Sequence, residues 1–318
     1  MKKLSTKTKV IIAATVILNL LMFPVVATCI IYGILLTRSD KKKWNRTCSM
    51  PEDEEYKRMH DIGMDWEKKH RGVKTPVMVR SGMYRLFGEY FDFGNDKAVI
   101  IIAGRMEACI YSYFFAEPYR RAGYNVLVID NRAHGLSDGH IVSLGYKEYK
   151  DIIAWSRMLH KKFGVKEVVL HGICIGASTA LFTLVSPKCP SYVKAMVAEG
   201  MYINFYESFK NHMIEKKKPL FPICQIMAAL IFVMSGADIV NDGPLKRMPL
   251  LRKPILFLHS KEDIYSVPEF VPDLYDSCKA PKKLVWFDSG AHSRIRINHM
   301  DKYDDTIIEF LNEISLHD

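Results

Sequence analysis

Five consecutive residues, Gly172-Ile173-Cys174-Ile175-Gly176, constrain the fold of this 318-residue chain more than any others. A strand-like run, Glu167–His171, leads into them, and a helical run, Ile175–Val185, leads out. A strand that turns into a helix at one residue is sharply bent, and side chains flanking the tip would strike the neighbouring strand and helix. Glycine at 172 and 176 meets that demand and leaves Cys174 at the tip. A residue there sits at a helix N-terminus, where the positive end of the macrodipole favours a thiolate. The backbone N–H of Ile175 then faces the point where an oxyanion would form. Read alone, the same pattern also describes a glycine-tight turn with a buried cysteine. Ser178 lies one helical turn further on and cannot occupy the strained position.

The rest of the chain supplies the frame. Pro76–Val79 and Tyr84–Phe93 read as antiparallel strands, with Gly94-Asn95-Asp96 as a turn. Ala98–Ala103 is a nearly continuous β-branched run, as expected of a strand covered on both faces. A helix over Ser112–Ala122, a strand over Asn125–Ile129 and a helix over Tyr146–Phe163 follow. Strands are then expected at Ala195–Ala198, Pro254–His259 and Lys283–Phe287, and a closing helix at Asp301–Ile314. Strands alternating with helices give an α/β fold with a doubly wound, mostly parallel sheet. A composition 49% hydrophobic and 25% charged suits one large core with an appendage. Residues 201–246 interrupt the alternation with aromatic and apolar side chains, Phe205 and Phe209 among them. Leu220–Ala237 is uncharged, but two prolines and a length of about 18 residues make it marginal as a membrane span. The reading adopted is a helical cap over the sheet, with Phe205 and Phe209 against the substrate.

The N-terminus is of another kind. Val10–Leu36 contains no charged residue, and about 20 apolar residues in a helix suffice to cross a bilayer. The run exceeds the apolar core of a signal peptide and has no clear cleavage site, so a retained single-pass anchor at 10–36 is expected, after a basic tail at 1–9. A linker with one peripheral helix (37–75) would join it to a catalytic domain at 76–318. The net charge of +10 belongs mostly to this region: nine of the 45 Lys and Arg and one of the 35 acids lie in residues 1–49, leaving 36 against 34 elsewhere. That distribution suits anionic lipid headgroups and argues against nucleic acid as a partner. Four lysines precede the segment and five basic residues follow it, so the flanks leave open which side carries the domain. The seven cysteines are scattered with no CxxC pair, which indicates neither a disulfide framework nor a zinc site.

For acyl chemistry on such a fold, an acid and then a histidine should follow the nucleophile in the chain. Asp263 lies in His259-Ser260-Lys261-Glu262-Asp263, just past one buried strand, and His292 in Gly290-Ala291-His292, just past the next. Glu262 is adjacent to Asp263 but faces the other way in an extended segment. His292 would take the thiol proton or pair with the thiolate, and Asp263 would fix its tautomer.

With these segments and Asp130-Asn131-Arg132-Ala133-His134-Gly135-Leu136-Ser137-Asp138-Gly139, the chain from about Tyr84 to Ile314 resembles bacterial membrane-anchored α/β-hydrolases related to serine aminopeptidases and acyl esterases. The resemblance implies the α/β-hydrolase fold, a Cys174–Asp263–His292 triad and no metal or organic cofactor. It also implies that the 130–139 loop supports the floor of the site without acting in catalysis. Three departures stand out. Cys174 replaces the usual serine, as in dienelactone hydrolases. Ala103-Gly104-Arg105 replaces His-Gly-x, so that the backbone N–H of Arg105 becomes the second oxyanion donor, with Met106 the neighbouring candidate. Ala133 stands where the family has glycine. Arg105 has two readings, a contact to an anionic substrate group or a solvated loop charge. The function expected is hydrolysis of a small-molecule or lipid-like acyl ester, thioester or amide through an acyl-cysteine. The alternatives are a catalytically inactive binding protein of the same fold and an acyltransferase using the same residues.

Overall fold

A computed structural model describes residues 5–315; Lys2 and Lys3 of the basic tail lie outside them. The uncharged run forms most of a 31-residue helix, α1 (Thr6–Leu36), capped by Ser5, whose hydroxyl accepts the Thr8 N–H. Pro24 stands inside it. Residues 37–53 have no regular structure yet are docked on the domain by long-range contacts. Arg38 is buried and donates to the carbonyls of Gly135 (2.7 Å) and Ser137 (3.2 Å). Trp44 stacks on His134 with ring centroids 4.7 Å apart. Arg46 reaches Glu89 at 2.8 Å. Asp53 then caps α2 (Glu54–His70) by accepting the Tyr56 N–H at 3.0 Å, and two acids in the first turn suit the helix dipole.

The sheet has eight strands: β1 (Lys74–Ser81), β2 (Tyr84–Phe91), β3 (Lys97–Ile102), β4 (Asn125–Ile129), β5 (Glu167–Ile173), β6 (Val193–Glu199), β7 (Ile255–Ser260) and β8 (Lys282–Phe287). Their spatial order is β1-β2-β4-β3-β5-β6-β7-β8. β1 pairs antiparallel with β2, and β2 antiparallel with β4; every other pairing is parallel. The turn joining the antiparallel pair is Gly82-Met83, with Gly82 at φ +60° and Ser81 opposite Tyr84. Gly94-Asn95-Asp96 does a different job, carrying the chain from β2 past β4 to β3. Central strands β3, β4, β5 and β7 are buried almost throughout, because helices cover both faces.

Those helices are α3 (Glu117–Arg121), α4 (Tyr149–Phe163), α5 (Ile175–Leu184), α6 (Phe205–Glu215), α7 (Ile223–Ser235), α8 (Pro244–Arg247), α9 (Val271–Ser277), α10 (Ile295–Asn298) and α11 (Met300–Ser315). The helix expected over Ser112–Ala122 is broken: Cys109–Phe115 winds as 3₁₀ turns, and α3 starts afresh at Glu117 with Pro118 in its first turn. Proline cannot continue a helix into its interior but is tolerated in a first turn. Helices α6 and α7 form the cap. Two apolar layers flank the sheet, and a third cluster joins the cap to the last turns of α1 through Tyr32, Leu36, Met227 and Ile231. Among the described residues α1 is the helix long and apolar enough to cross a membrane; α7, with 13 residues, is too short.

Candidate active site

Parallel strands deliver their C-terminal ends to one edge, and the loops leaving that edge meet. The β5–α5 turn places Cys174 at φ +55°, ψ −113°, a sparsely populated conformation. Its glycine neighbours show why the turn holds. A Cβ at 172 would overlap the backbone of Gly176, and one at 176 the carbonyl of Ile102. The Cys174 N–H is held by the Glu199 carbonyl at 2.9 Å.

Asp263 leaves the end of β7 in a turn of its own making. Its Oδ1 accepts the N–H groups of Tyr265 (2.9 Å) and Ser266 (2.8 Å), and its Oδ2 lies 2.7 Å from His292 Nδ1. These contacts hold the buried carboxyl below its ordinary pKa even though burial opposes them. Glu262 points away from this pair and accepts the Gly290 N–H at 3.0 Å, bracing the loop that carries His292. Burial alone would depress the imidazole of His292, but the Asp263 carboxylate and the Cys174 sulfur raise its pKa well above the usual value. Its Nε2 is buried and, among the described residues, has no partner closer than the Cys174 sulfur, whose influence helps to raise its pKa. Gly200, at φ +58°, sits under the pair: a Cβ there would lie 3.3 Å from both Asp263 Oδ2 and His292 Cε1.

Of the two N–H groups expected at an oxyanion position, neither Arg105 nor Ile175 donates a hydrogen bond among the described residues. Met106 is different. It takes φ +74°, and its N–H is bound to His134 Nε2 at 3.2 Å, which removes it as an oxyanion donor. Burial holds His134 down to about 4, so it is neutral; its Nδ1–H donates to the Arg132 carbonyl, leaving Nε2 as the acceptor. The 130–139 loop is thereby tied to the loop that carries Arg105 and Met106. Asp130 fastens it further by accepting from Cys109 (2.7 Å) and Leu136 (2.9 Å). Ala133 adopts φ +66°, the left-handed region that glycine occupies without strain.

Cys174, His292, Arg105, Ile175, Phe205 and Phe209 all line one cavity of about 320 Å³. Asp263 stands behind His292 and is outside the lining. Ser178 is fully buried in α5 and does not reach the cavity. The guanidinium of Arg105 donates to the Leu35 carbonyl at 3.4 Å, pairs with no carboxylate among the described residues, and is pulled by burial below its ordinary pKa. Sequence reasoning passed over Glu107, also in the lining, whose buried carboxyl is pushed up to about 7. It also passed over Glu199, buried beneath Cys174 and likewise raised to about 7, which accepts from the Tyr303 hydroxyl. The available signal was position: each acid lies at or just past the C-terminal end of a buried strand.

A mostly parallel sheet with a strand–turn–helix elbow after β5, and an acid and a histidine after the last two strands, defines the α/β-hydrolase fold. Residues 97–220 match the family model described as alpha/beta hydrolase fold. The chain is 26% identical over 264 residues to the uncharacterized protein YqkD of Bacillus subtilis, covering 81% of this chain and 86% of that one. Among solved structures it is similar to the esterase Pf2001 of Pyrococcus furiosus, with a TM-score of 0.65 and 23% identity over 78% of this chain and 93% of that one. It is also similar to a proline iminopeptidase of Mycobacterium smegmatis, with a TM-score of 0.58 and 14% identity over 76% and 99%.

Proposed function

We propose that this chain is a membrane-anchored hydrolase that cleaves an acyl ester, thioester or amide through an acyl-cysteine at Cys174. One observation carries the reading: a cysteine on a strained elbow shares a cavity with an imidazole whose far nitrogen is held by a buried carboxylate at 2.7 Å. His292 Nε2 holds the proton that the thiol gives up, and the thiolate Sγ bonds to the carbonyl carbon. The carbonyl oxygen becomes an oxyanion facing the N–H groups of Ile175 and Arg105. Collapse expels the alcohol, thiol or amine, which receives the proton from Nε2–H. Water then gives a proton to Nε2 and its oxygen to the acyl carbon, and the departing sulfur recovers that proton as the carboxylic acid leaves. Throughout, Asp263 keeps the Nδ1 proton in place. The apolar walls, Phe205 and Phe209 included, suit a hydrophobic acyl or aryl group, and Leu35 at the foot of α1 brings the site close to lipid.

The test uses the full-length protein in detergent with p-nitrophenyl acyl esters. Cys174→Ala and His292→Ala should each lower turnover by about 10³-fold or more, as losses of nucleophile and base do. Equal activity in the parent and both variants would end the proposal.

A further inference from the structure

The stretch of the anchor that stands clear of the domain is too short on its own to fill a bilayer. The uncharged part of α1 that stands clear of the domain runs from residue 10 to residue 23. At 1.5 Å per residue that is about 21 Å, against a hydrocarbon core of about 30 Å. From Pro24 onward the helix is partly covered, and Thr28, Tyr32 and Leu36 are buried. The covering element is α7, whose Ile223, Met227 and Ile231 pack with Tyr32 and Leu36. The missing thickness of about 9 Å corresponds to roughly six residues of helix, and these are residues already beside the cap.

If α1 spans a membrane, part of α7 therefore lies at the level of the lipid. Its free face is built for that position. Phe232 (58% exposed) and Val233 (77%) project outward from it, and Phe221 (77%) does so just before its start. No Asp, Glu, Lys or Arg occurs from residue 220 to residue 237. The exposed lysines Lys216, Lys217 and Lys218 precede this face, and Lys41 and Lys42 follow α1, forming a basic rim of the kind that meets anionic headgroups. A helix with one apolar face and a basic border rests in the interfacial layer.

We propose that the outer face of α7 is seated in the headgroup–acyl boundary of the same bilayer that α1 crosses. The cavity holding Cys174, whose wall includes Leu35 and Lys216, then stands at that boundary and takes amphiphilic acyl substrates directly from the membrane. The proposal rests on reading α1 as an anchor, and the experiment separates the two. Full-length protein is reconstituted in phosphatidylcholine vesicles containing phosphatidylglycerol, with bromine on the acyl chains either near the headgroup or near the bilayer centre. Tryptophan emission is measured for the parent, Phe232→Trp and Phe23→Trp, and the added emission is obtained by difference. Phe232→Trp should lose most emission to bromine near the headgroup, and Phe23→Trp to bromine nearer the centre. Quenching of Phe23→Trp without any at Phe232→Trp would overturn the proposal while leaving the anchor standing; the face would then be covered by protein or water. Loss at neither position would remove the anchor and the proposal together. Val233→Trp repeats the measurement on the same face should Phe232→Trp fail to fold.

Discussion

At the residue scale, the site depends on backbone positions that tolerate one kind of side chain. Gly200 combines a left-handed conformation with close approach to the Asp263–His292 pair. Gly200→Ala adds about 1–2 kcal/mol of backbone strain and presses a methyl group against the imidazole. A displacement of this kind, well under the span of the site, should lower kcat by about ten- to a hundredfold while moving KM less. Steady-state kinetics on the most active ester checks this, and unchanged kcat would mean that the pair has room to spare. The two glycines of the elbow were legible in the sequence because their spacing alone encodes the bend. Gly200 was not, since its neighbours come from residues 263 and 292, far along the chain.

At the element scale, the legible parts were those with a period. The buried strands show themselves as β-branched runs, and α4 as an apolar stripe. The loops that finish the site have no period, and their contacts are long-range. The docking of Arg38 on the 135–137 carbonyls and of Trp44 on His134 is invisible to any local pattern. Residues 112–115, the start of the helix expected from the sequence, belong instead to the 3₁₀ stretch, whose aromatic side chains are buried all round and so blur helical spacing. The Trp44–His134–Met106 chain makes a prediction about the loop proposed to hold an oxyanion. Trp44→Ala removes the stacked ring that holds His134 and so loosens the Met106 N–H beside Arg105. It should cost about 3 kcal/mol of stability, as buried Trp→Ala changes do, and lower kcat more than it raises KM. Thermal unfolding followed by kinetics on the folded variant tests both parts; intact kcat would detach this aromatic stack from catalysis.

At the scale of the whole molecule, buried ionisable groups give stability a definite pH profile. Burial raises Glu107 and Glu199 to about 7 from an ordinary 4.5, and depresses His134 to about 4, His171 to about 3 and His259 to about 4 from 6.5. Between pH 4.5 and 7 the folded chain keeps protons on the two carboxyls that the unfolded chain releases, so their contribution falls as pH rises. Between about 4 and 6.5 the unfolded chain protonates histidines that the fold holds neutral, so their contribution rises with pH. Between about 4.5 and 6.5 the three histidine terms rise against the two falling carboxyl terms, and above 6.5 the raised His292 adds a falling term of its own, so these groups favour a maximum near pH 6.5. Glu199→Gln deletes one falling term. It should match the parent near pH 5 and exceed it above pH 7, on the order of 3 kcal/mol before any repacking loss. Melting temperatures from pH 5 to 8 provide the check, and a pH-independent difference would contradict the assignment.

The clasp between Arg38 and the 135–137 carbonyls has a practical corollary for anyone cutting the chain. A water-soluble fragment beginning near residue 45 would lack Arg38, Trp44 and the last turns of the first helix together. It would uncover the flank of the cap helix on which Tyr32 and Leu36 lie, and leave a histidine beneath the reactive loop without its aromatic cover. Such a fragment is expected to clump or to work poorly, and its failure would say nothing against the chemistry proposed for the intact protein.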